Sequence, residues 1–217
     1  DGTAEQLAAL AKQDSGVRVF VLSENRGKGA AVLHGLREGA KERFTHALTM
    51  DADGQHPAEK IAEFMAKSIA NPNALILGLP QFDTSAPSLR VRGRKVSNWW
   101  ANLETCWQGI GDSLLGFRVY PIKPLLDIME ANPWMRRFDF DVEAAVRLVW
   151  RGVLPINVAA PVKYFNADEG GVSHFNYLRD NLLLTWMHTR LFCGFIVRLP
   201  ELLWLRGTAS SRLRKQH

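Results

Sequence analysis

Apolar runs alternate with helix-like segments along the first half of the chain, and this alternation restricts the possible folds more than any other feature. Short runs of β-branched and aliphatic residues at 17–22, 46–50 and 74–78 each predict a buried strand. Between these runs, apolar residues recur at the spacing of an amphipathic helix. Strand, helix, strand, helix and strand in succession form a parallel sheet with crossover helices, so we predict an α/β fold.

Composition and net charge limit the kinds of molecule that this protein is expected to bind. The 217 residues, 47% of them hydrophobic, fit one substantial α/β domain or two small ones. A net charge of +5 favours acidic partners such as nucleotides, phosphates or anionic lipid headgroups, while no basic run is long enough to predict nucleic-acid binding. Cys106 and Cys193 lack CxxC spacing, so we expect no zinc site or disulfide scaffold and a reducing compartment such as the cytoplasm.

Two carboxylates one residue apart follow the predicted strand at 46–50. In open α/β sheets, ligands bind beyond the carboxyl ends of strands. Asp51, Asp53 and the side-chain carbonyl of Gln55 could offer three oxygens to Mg²⁺ or Mn²⁺, and such a cation would bind phosphate. Taken alone, the same residues are better explained as an ordinary turn before a helix that begins near residue 57, because two acidic residues in a loop are common.

A glycine-rich basic turn lies at 25–31, between the first predicted strand and the helix after it. Gly27 and Lys28 could hold phosphate there through backbone N–H groups, the helix dipole and the ammonium group. The turn lacks the spacing of a Walker P-loop. Tight packing between the strand and the helix explains the glycines at least as well.

The second half of the chain carries three charged residues that are candidates for a functional site. Arg118 follows Gly116-Phe117 on a short predicted strand, where it could clamp a phosphate or pair with a structural carboxylate. Asp141 and Glu143 open a predicted helix, and favourable placement in its first turn is the simplest account of both. The apolar runs at 153–158 and 162–165 predict two further strands.

The C-terminal segment at 178–205 is apolar and aromatic but is interrupted by charged residues. Pro200 is expected to break its helix, so we predict no simple membrane span. Helices with aromatic residues on one face and arginines on the other can lie in a bilayer interface, which predicts peripheral membrane contact through 176–206. A helix pair that packs on this domain or on a partner chain is an equal alternative.

Three motifs together resemble the family 2 glycosyltransferases with a GT-A fold, most closely the polyprenyl- and dolichyl-phosphate sugar transferases. They are Asn-Arg-Gly-Lys-Gly-Ala at 25–30, Asp-Ala-Asp-Gly-Gln-His at 51–56 and Asp-Ser-Leu-Leu-Gly-Phe-Arg at 112–118. The resemblance covers about 1–165. It implies a Rossmann-like, mostly parallel sheet flanked by helices.

The resemblance also implies a domain organisation. A glycosyltransferase domain would span 1–172 and an amphipathic helical segment would span 173–217. Residues 1–3 resemble the end of an Asp-Asp-Gly-Ser/Thr turn of the family. We therefore expect the family's first strand, first helix and second strand to lie upstream of this sequence.

Site residues carry over from the family motifs position by position. Mg²⁺ or Mn²⁺ would be held by Asp51, Asp53 and Gln55, which makes Asp53 a catalytic candidate. The nucleotide would be bordered by Asn25, Gly27 and Lys28. Asp1 would lie near the base or ribose. Arg118 would contact the acceptor phosphate or the donor diphosphate, with Arg90 or Arg94 as weaker candidates, and Asp141 or Glu143 would be the base for a hydroxyl acceptor. Leu115 departs from the serine more usual in lipid-phosphate transferases, which argues against a phosphate acceptor.

The expected activity is therefore that of an inverting, metal-dependent glycosyltransferase at the cytoplasmic face of a membrane. It would move a sugar from a UDP- or GDP-sugar to a lipid-linked acceptor such as a polyprenyl phosphate, or to another membrane-proximal acceptor. A catalytically silent nucleotide-binding or interaction module is the alternative. A nucleotidyltransferase ranks last, because the glycine-rich pyrophosphorylase signature is absent from the sequence.

Overall fold

The structure is a computed structural model that describes residues 2–82, 88–162 and 177–214, with side chains described within 2–82, 91–162 and 182–204. The described helices are α1 (Thr3–Gln13), α2 (Lys28–Lys41), α3 (Ile61–Ala70), α4 (Ser88–Glu104), α5 (Ile122–Ala131), α6 (Phe140–Trp150) and α7 (Tyr177–Arg214), and a 3₁₀ turn spans Ala58–Lys60. The described strands are β1 (His46–Thr49), β2 (Leu75–Phe82), β3 (Arg118–Pro121) and β4 (Pro155–Val162).

The four strands form one sheet in the order β1-β3-β2-β4. β2 and β4 pair in parallel along their whole length, from Leu75 opposite Pro155 to Phe82 opposite Val162. β3 lies between β1 and β2 and runs antiparallel to both, so β1, β2 and β4 all point the same way. With helices packed around this sheet, the predicted α/β class of GT-A type is confirmed.

Along β2, successive side chains alternate between two hydrophobic cores, one on each face of the sheet. Leu75 and Leu77 join the larger core, built mainly from helices α2, α5, α6 and α7. Ile76, between them, joins the smaller core under α3. This alternation is the two-residue period of a strand covered on both faces. It also explains why the run at β2 contains almost no polar residues.

Two predictions of strands were wrong. Residues 17–22 form no ladder with any described strand, and Val21 is 72% exposed. The apolar composition of 17–22 was not sufficient to predict a strand, because a strand also needs a neighbouring strand for its backbone hydrogen bonds. The two strands predicted at 153–158 and 162–165 are instead one strand, β4, although 163–165 lie outside the described residues. Pro161 fits within β4 because β4 ends the order of the sheet, where a missing N–H is tolerated.

The predicted break at Pro200 was also wrong, since α7 continues through it to Arg214. One lost backbone hydrogen bond can kink a helix without ending it when packing continues beyond it, and Leu202 is fully buried. By length and composition, Leu182–Trp204 could cross a membrane, and only 17% of its most apolar stretch is buried. The charged residues of Leu182–Trp204 are therefore too few to exclude a membrane-spanning helix by composition alone. Peripheral contact stays a prediction.

Candidate functional site

A cleft of about 300 Å³ lies where β1 ends, beside the N-termini of α2 and α6 and the start of α7. Among the described residues, its polar lining consists of Lys28, Asp51, Asp53, Asp139 and Asp141. Four carboxylates and one ammonium group thus meet in one small volume. A cavity of this size at the carboxyl end of a strand is where α/β folds bind their ligands.

Lys28, the first residue of α2, links two of these carboxylates. Its Nζ atom lies 2.7 Å from Oδ1 of Asp51 and 2.7 Å from Oδ2 of Asp141. Burial works to lower the pKa of Lys28, but attraction to Asp141 and Asp51 outweighs it, so the pKa lies above its usual value. The lysine is therefore a firmly charged cation between two carboxylates.

Gly116 makes this close approach possible. A Cβ atom at this position would press against both Nζ of Lys28 and Oδ2 of Asp51. The hydroxyl of Thr49, the last residue of β1, donates a hydrogen bond to the Gly116 carbonyl at 2.9 Å and fixes the backbone there. The glycine in the predicted motif at 112–118 thus leaves room for the ion pairs of the cleft.

Gly27 and Gly29 are explained by packing at the start of α2. Gly27 has a φ of +91°, and a Cβ atom there would lie 2.5 Å from the carbonyl oxygen of Arg136. At Gly29 the same atom would lie 2.7 Å from the carbonyl oxygen of Met135. Asn25 accepts a hydrogen bond from the Gly27 N–H at 3.0 Å. The glycines thus allow α2 to pack against the segment before α6 rather than against a strand as predicted. Contact of Asn25 and Gly27 with a nucleotide stays a prediction.

The predicted metal ligands lie on a turn at the edge of the cleft. The Asp53 carboxylate accepts a hydrogen bond from the Gln55 N–H at 3.0 Å, and Asp51 and Asp53 both line the cavity. Within the described residues no group of three or more His, Cys, Asp or Glu side chains is arranged to hold a metal ion. The carboxylate and amide oxygens of Asp51, Asp53 and Gln55 are ligands that suit a hard cation, and the carboxylate of Asp51 already pairs with the ammonium group of Lys28. Binding of Mg²⁺ or Mn²⁺ stays a prediction.

His56 borders this turn and was not predicted. Its side chain is only 4% exposed, and Nε2 lies 3.9 Å from Oδ2 of Asp51. The ring packs against Phe117 with the centroids 5.6 Å apart. Burial lowers the pKa of His56, so a neutral ring lies beside the acidic turn.

Arg118 is fully buried at the start of β3 and does not line the cleft. Its Nε donates to the Leu115 carbonyl at 2.6 Å, and Nη1 donates to the backbone carbonyl of Asp141. Nη2 has no hydrogen-bond partner among the described residues. The arginine therefore binds main-chain carbonyls rather than a structural carboxylate, and it supports the backbone at Asp141. Its contact with a phosphate stays a prediction.

Arg94, a weaker candidate for phosphate contact, is not among the described residues that line the cleft. Arg94 pairs with the buried carboxylate of Asp112, which also accepts hydrogen bonds from two backbone N–H groups of its own turn. This arrangement fixes α4 to the segment that leads into β3. The side chain of Arg90 and the whole of Asp1 lie outside the described residues. Their predicted roles stay predictions.

Glu143 is fully buried and its carboxylate is saturated with donors. Oε1 accepts hydrogen bonds from Nε1 of Trp134 at 2.9 Å and from Nε of Arg147 at 2.7 Å. Oε2 accepts a hydrogen bond from Nη2 of Arg190 at 3.1 Å. Asp141 differs, because its Oδ1 is buried without a hydrogen-bond partner among the described residues.

One wall of the cleft is apolar and was not predicted. It is formed by Leu114, Phe138, Leu183 and Leu184, the last two from α7. Asp139, which precedes α6, was missed as well, and burial raises the pKa of its carboxyl. The only sequence signal was the alternation of Phe and Asp at 138–141. Nothing in the sequence indicated that α7 reaches the acidic turn.

Comparison with known proteins now identifies the family. Residues 1–137, more than half of the chain, match the family model described as glycosyl transferase family 2. The chain belongs to this family. The predicted resemblance is thereby confirmed.

Two curated relatives are named dolichol-phosphate mannosyltransferase. The one from Mycosarcoma maydis is 33% identical over 78 residues, which are 36% of this chain and 25% of the relative. The one from Saccharomyces cerevisiae is 44% identical over 61 residues, which are 28% of this chain and 22% of the relative. The matched segments thus span about a quarter of the length of each relative.

Proposed function

We propose that this family 2 protein is an inverting glycosyltransferase that moves a sugar from a nucleotide-sugar to a lipid phosphate at a membrane. The observation that carries the proposal is the cleft itself, which combines charged residues suited to a diphosphate with an apolar wall from α7. The similarity to two proteins named dolichol-phosphate mannosyltransferase supports the same class of acceptor. Transfer to a lipid acceptor would use both halves of such a site.

The charged half suits the donor. Asp51 and Asp53, with Gln55 from the same turn, would hold Mg²⁺ or Mn²⁺, and the bound cation would stabilise charge on the departing diphosphate. Lys28 lies in the same cleft with its ammonium group already charged, and it can offer a hydrogen bond to a phosphate oxygen. Both UDP- and GDP-sugars fit this chemistry, since it involves the diphosphate alone.

The apolar half suits a lipid acceptor. Phe138 and the leucines of α7 offer the first units of a prenyl chain an apolar contact beside the carboxylates. A lipid phosphate is already anionic, so it can attack the sugar carbon without a general base. A hydroxyl acceptor would need a carboxylate to take its proton, and Asp141 is then a better candidate than Glu143 because one of its oxygens has no partner among the described residues.

Membrane contact is proposed through α7. Its exposed large apolar side chains include Trp186, Ile196 and Trp204, while its buried face joins the core through Met187 and Leu191. A helix with one face in the core and aromatic residues on another can lie in a bilayer interface. The start of α7 would then bring the apolar wall of the cleft close to the lipid. We assign this contact to the cytoplasmic face.

A transfer assay on the full-length protein tests the proposal. UDP- and GDP-sugars are supplied with Mn²⁺ and with either a polyprenyl phosphate or the matching polyprenol. We expect transfer to the phosphate, and a loss of about 10²-fold or more in Asp53→Ala with unchanged circular dichroism. Asp127→Ala, at an exposed i,i+4 ion pair with Lys123, is the matched control and should behave as wild type.

Three outcomes would count against the proposal. Full activity in Asp53→Ala would remove the metal role of the acidic turn. Transfer to the alcohol alone would contradict the phosphate acceptor. The absence of binding of any nucleotide-sugar would favour the alternative of a silent interaction module.

A further inference from the structure

Two carboxylates from distant parts of the chain converge on one cation in the cleft. Asp51 follows β1 and Asp141 lies in the first turn of α6, yet each has an oxygen 2.7 Å from Nζ of Lys28. Without a cation between them, these two carboxylates would repel each other. The ammonium group therefore lies where it attracts both carboxylates at once.

The second observation is an oxygen without a partner. The side chain of Asp141 is 7% exposed, and its Oδ1 accepts no hydrogen bond from any described residue. Asp141 nevertheless lines the cleft. A buried carboxylate oxygen with no donor is costly and is rarely left so, unless a ligand or cation supplies what is missing.

The surroundings allow Lys28 to move. Its ammonium lies against Gly116, which leaves the space that a Cβ atom would fill, and Lys28 itself lines the open cavity. A lysine ammonium is a point charge on a flexible four-carbon stem, so it can change partners without movement of α2. Movement into the cleft keeps the charge near the carboxylates of Asp53 and Asp139, which also line it.

We propose that Lys28 is a resident cation that holds the Asp51–Asp141 position, and that a divalent cation loads the site by displacing the Lys28 ammonium from Asp51. The displaced ammonium would then face the phosphates of the donor. This inference rests on the metal site of the proposed function. It assigns Lys28 the role of a competitor that sets the metal affinity, rather than that of a structural ion-pair partner only.

The two roles predict opposite effects of neutralising Lys28. If Lys28 competes with the metal, Lys28→Met removes a positive charge beside the carboxylates, and Mn²⁺ should bind about tenfold or more tightly. If Lys28 only orders the site, the same change lets the carboxylates separate, and Mn²⁺ should bind more weakly or with unchanged affinity. The sign of the change in affinity therefore decides between the roles.

The experiment is a titration of Mn²⁺ into the full-length protein, followed by electron paramagnetic resonance of the free ion. Wild type, Lys28→Met and Lys28→Gln are compared, with Lys41→Met as the control because Lys41 pairs on the exposed side of α2 with Glu38. We expect tighter binding in both Lys28 variants and wild-type affinity in the control. Equal or weaker binding in the Lys28 variants would overturn the inference.

A measurement on the wild type keeps the test valid if the variants do not fold. Amine acetylation followed by mass spectrometry should label Lys28 faster after Mn²⁺ is added, because the ammonium has left Asp51. Unchanged labelling at saturating Mn²⁺ would overturn the inference while leaving the metal site intact. No Mn²⁺ binding in wild type or in either variant would overturn both this inference and the metal dependence of the proposed function.

Discussion

Asp141 and Glu143 lie two residues apart at the start of α6, and the protein surrounds their carboxylates in opposite ways. Asp141 faces the cleft, where it pairs with Lys28 and keeps one oxygen without a partner among the described residues. Glu143 faces away into a saturated network. The comparison teaches that a buried carboxylate near a cleft is available to a ligand only when its neighbours leave an oxygen unused.

The network around Glu143 joins three parts of the chain. Arg147 belongs to the same helix, Trp134 precedes it, and Arg190 comes from α7. The guanidinium of Arg190 also lies 5.3 Å from the ring of Trp134. Such a fully paired buried group fixes how α7 packs on α6, and hence where the apolar wall of the cleft lies.

The largest effect is expected when the saturated carboxylate is changed. Glu143→Gln removes the buried carboxylate that pairs with Arg147 and Arg190. Among the described residues, Arg190 then keeps only the more distant Asp139 at 3.8 Å, so the free energy of unfolding should fall by about 3 kcal/mol or more. Urea denaturation measures this change. Glu63→Gln, at an exposed ion pair with Lys60, is the matched control and should change stability by less than about 1 kcal/mol. Equal stability of the two variants would break the distinction between Asp141 and Glu143.

The second-largest effect is expected when Asp141, the carboxylate with an unused oxygen, is neutralised. Asp141→Asn keeps the shape but removes the charge that faces Lys28, so transfer activity should fall by about 10²-fold. The free energy of unfolding should fall less than in Glu143→Gln, because Lys28 keeps Asp51 as a partner. Activity is measured with saturating Mn²⁺, and stability by thermal melting. A variant that unfolds but keeps its activity per folded molecule would show that Asp141, like Glu143, is structural.

The smallest effect is expected at a third buried carboxylate, Glu104, which extends the comparison of Asp141 with Glu143. It pairs with His188 of α7 at 2.9 Å, and burial raises its pKa above the usual 4.5. Folded Glu104 therefore holds its proton to higher pH than unfolded Glu104, so this group makes stability fall as pH rises through the window just above 4.5.

Glu104→Gln lacks this titration. Relative to wild type, the free energy of unfolding of the variant should therefore rise as pH increases from about 4.5, by roughly 1 kcal/mol for each unit by which the pKa is raised. Denaturation curves at a series of pH values measure the difference. A constant difference between the two proteins across the series would contradict the raised pKa.

Much of the fold was predictable because its signals are local. The strand at 46–50, the helix that starts before Asp141 and the strand at 74–78 follow from apolar spacing within a few residues. The prediction at 17–22 failed because pairing depends on a neighbouring strand. The position of β3 between β1 and β2 was likewise not predictable, since its order in the sheet depends on contacts far apart in sequence.

The site was predictable in its parts and not in its assembly. Lys28, Asp51 and Asp141 were each candidates, but nothing in their local sequence indicates that one ammonium joins both carboxylates. The same holds for Glu143, whose saturation depends on Arg190 from the far end of the chain. Short motifs identify the type of chemistry, whereas tertiary packing decides which oxygen remains available to a ligand.

The most direct test of the central claim is calorimetric titration of a nucleotide-sugar into the full-length protein with Mn²⁺ present. Wild type, Asp51→Asn and Glu143→Gln are compared under conditions in which all three are folded. If the cleft of Asp51 and Lys28 holds the donor diphosphate, wild type and Glu143→Gln will bind the donor and Asp51→Asn will not. Equal binding by Asp51→Asn and wild type would contradict the account.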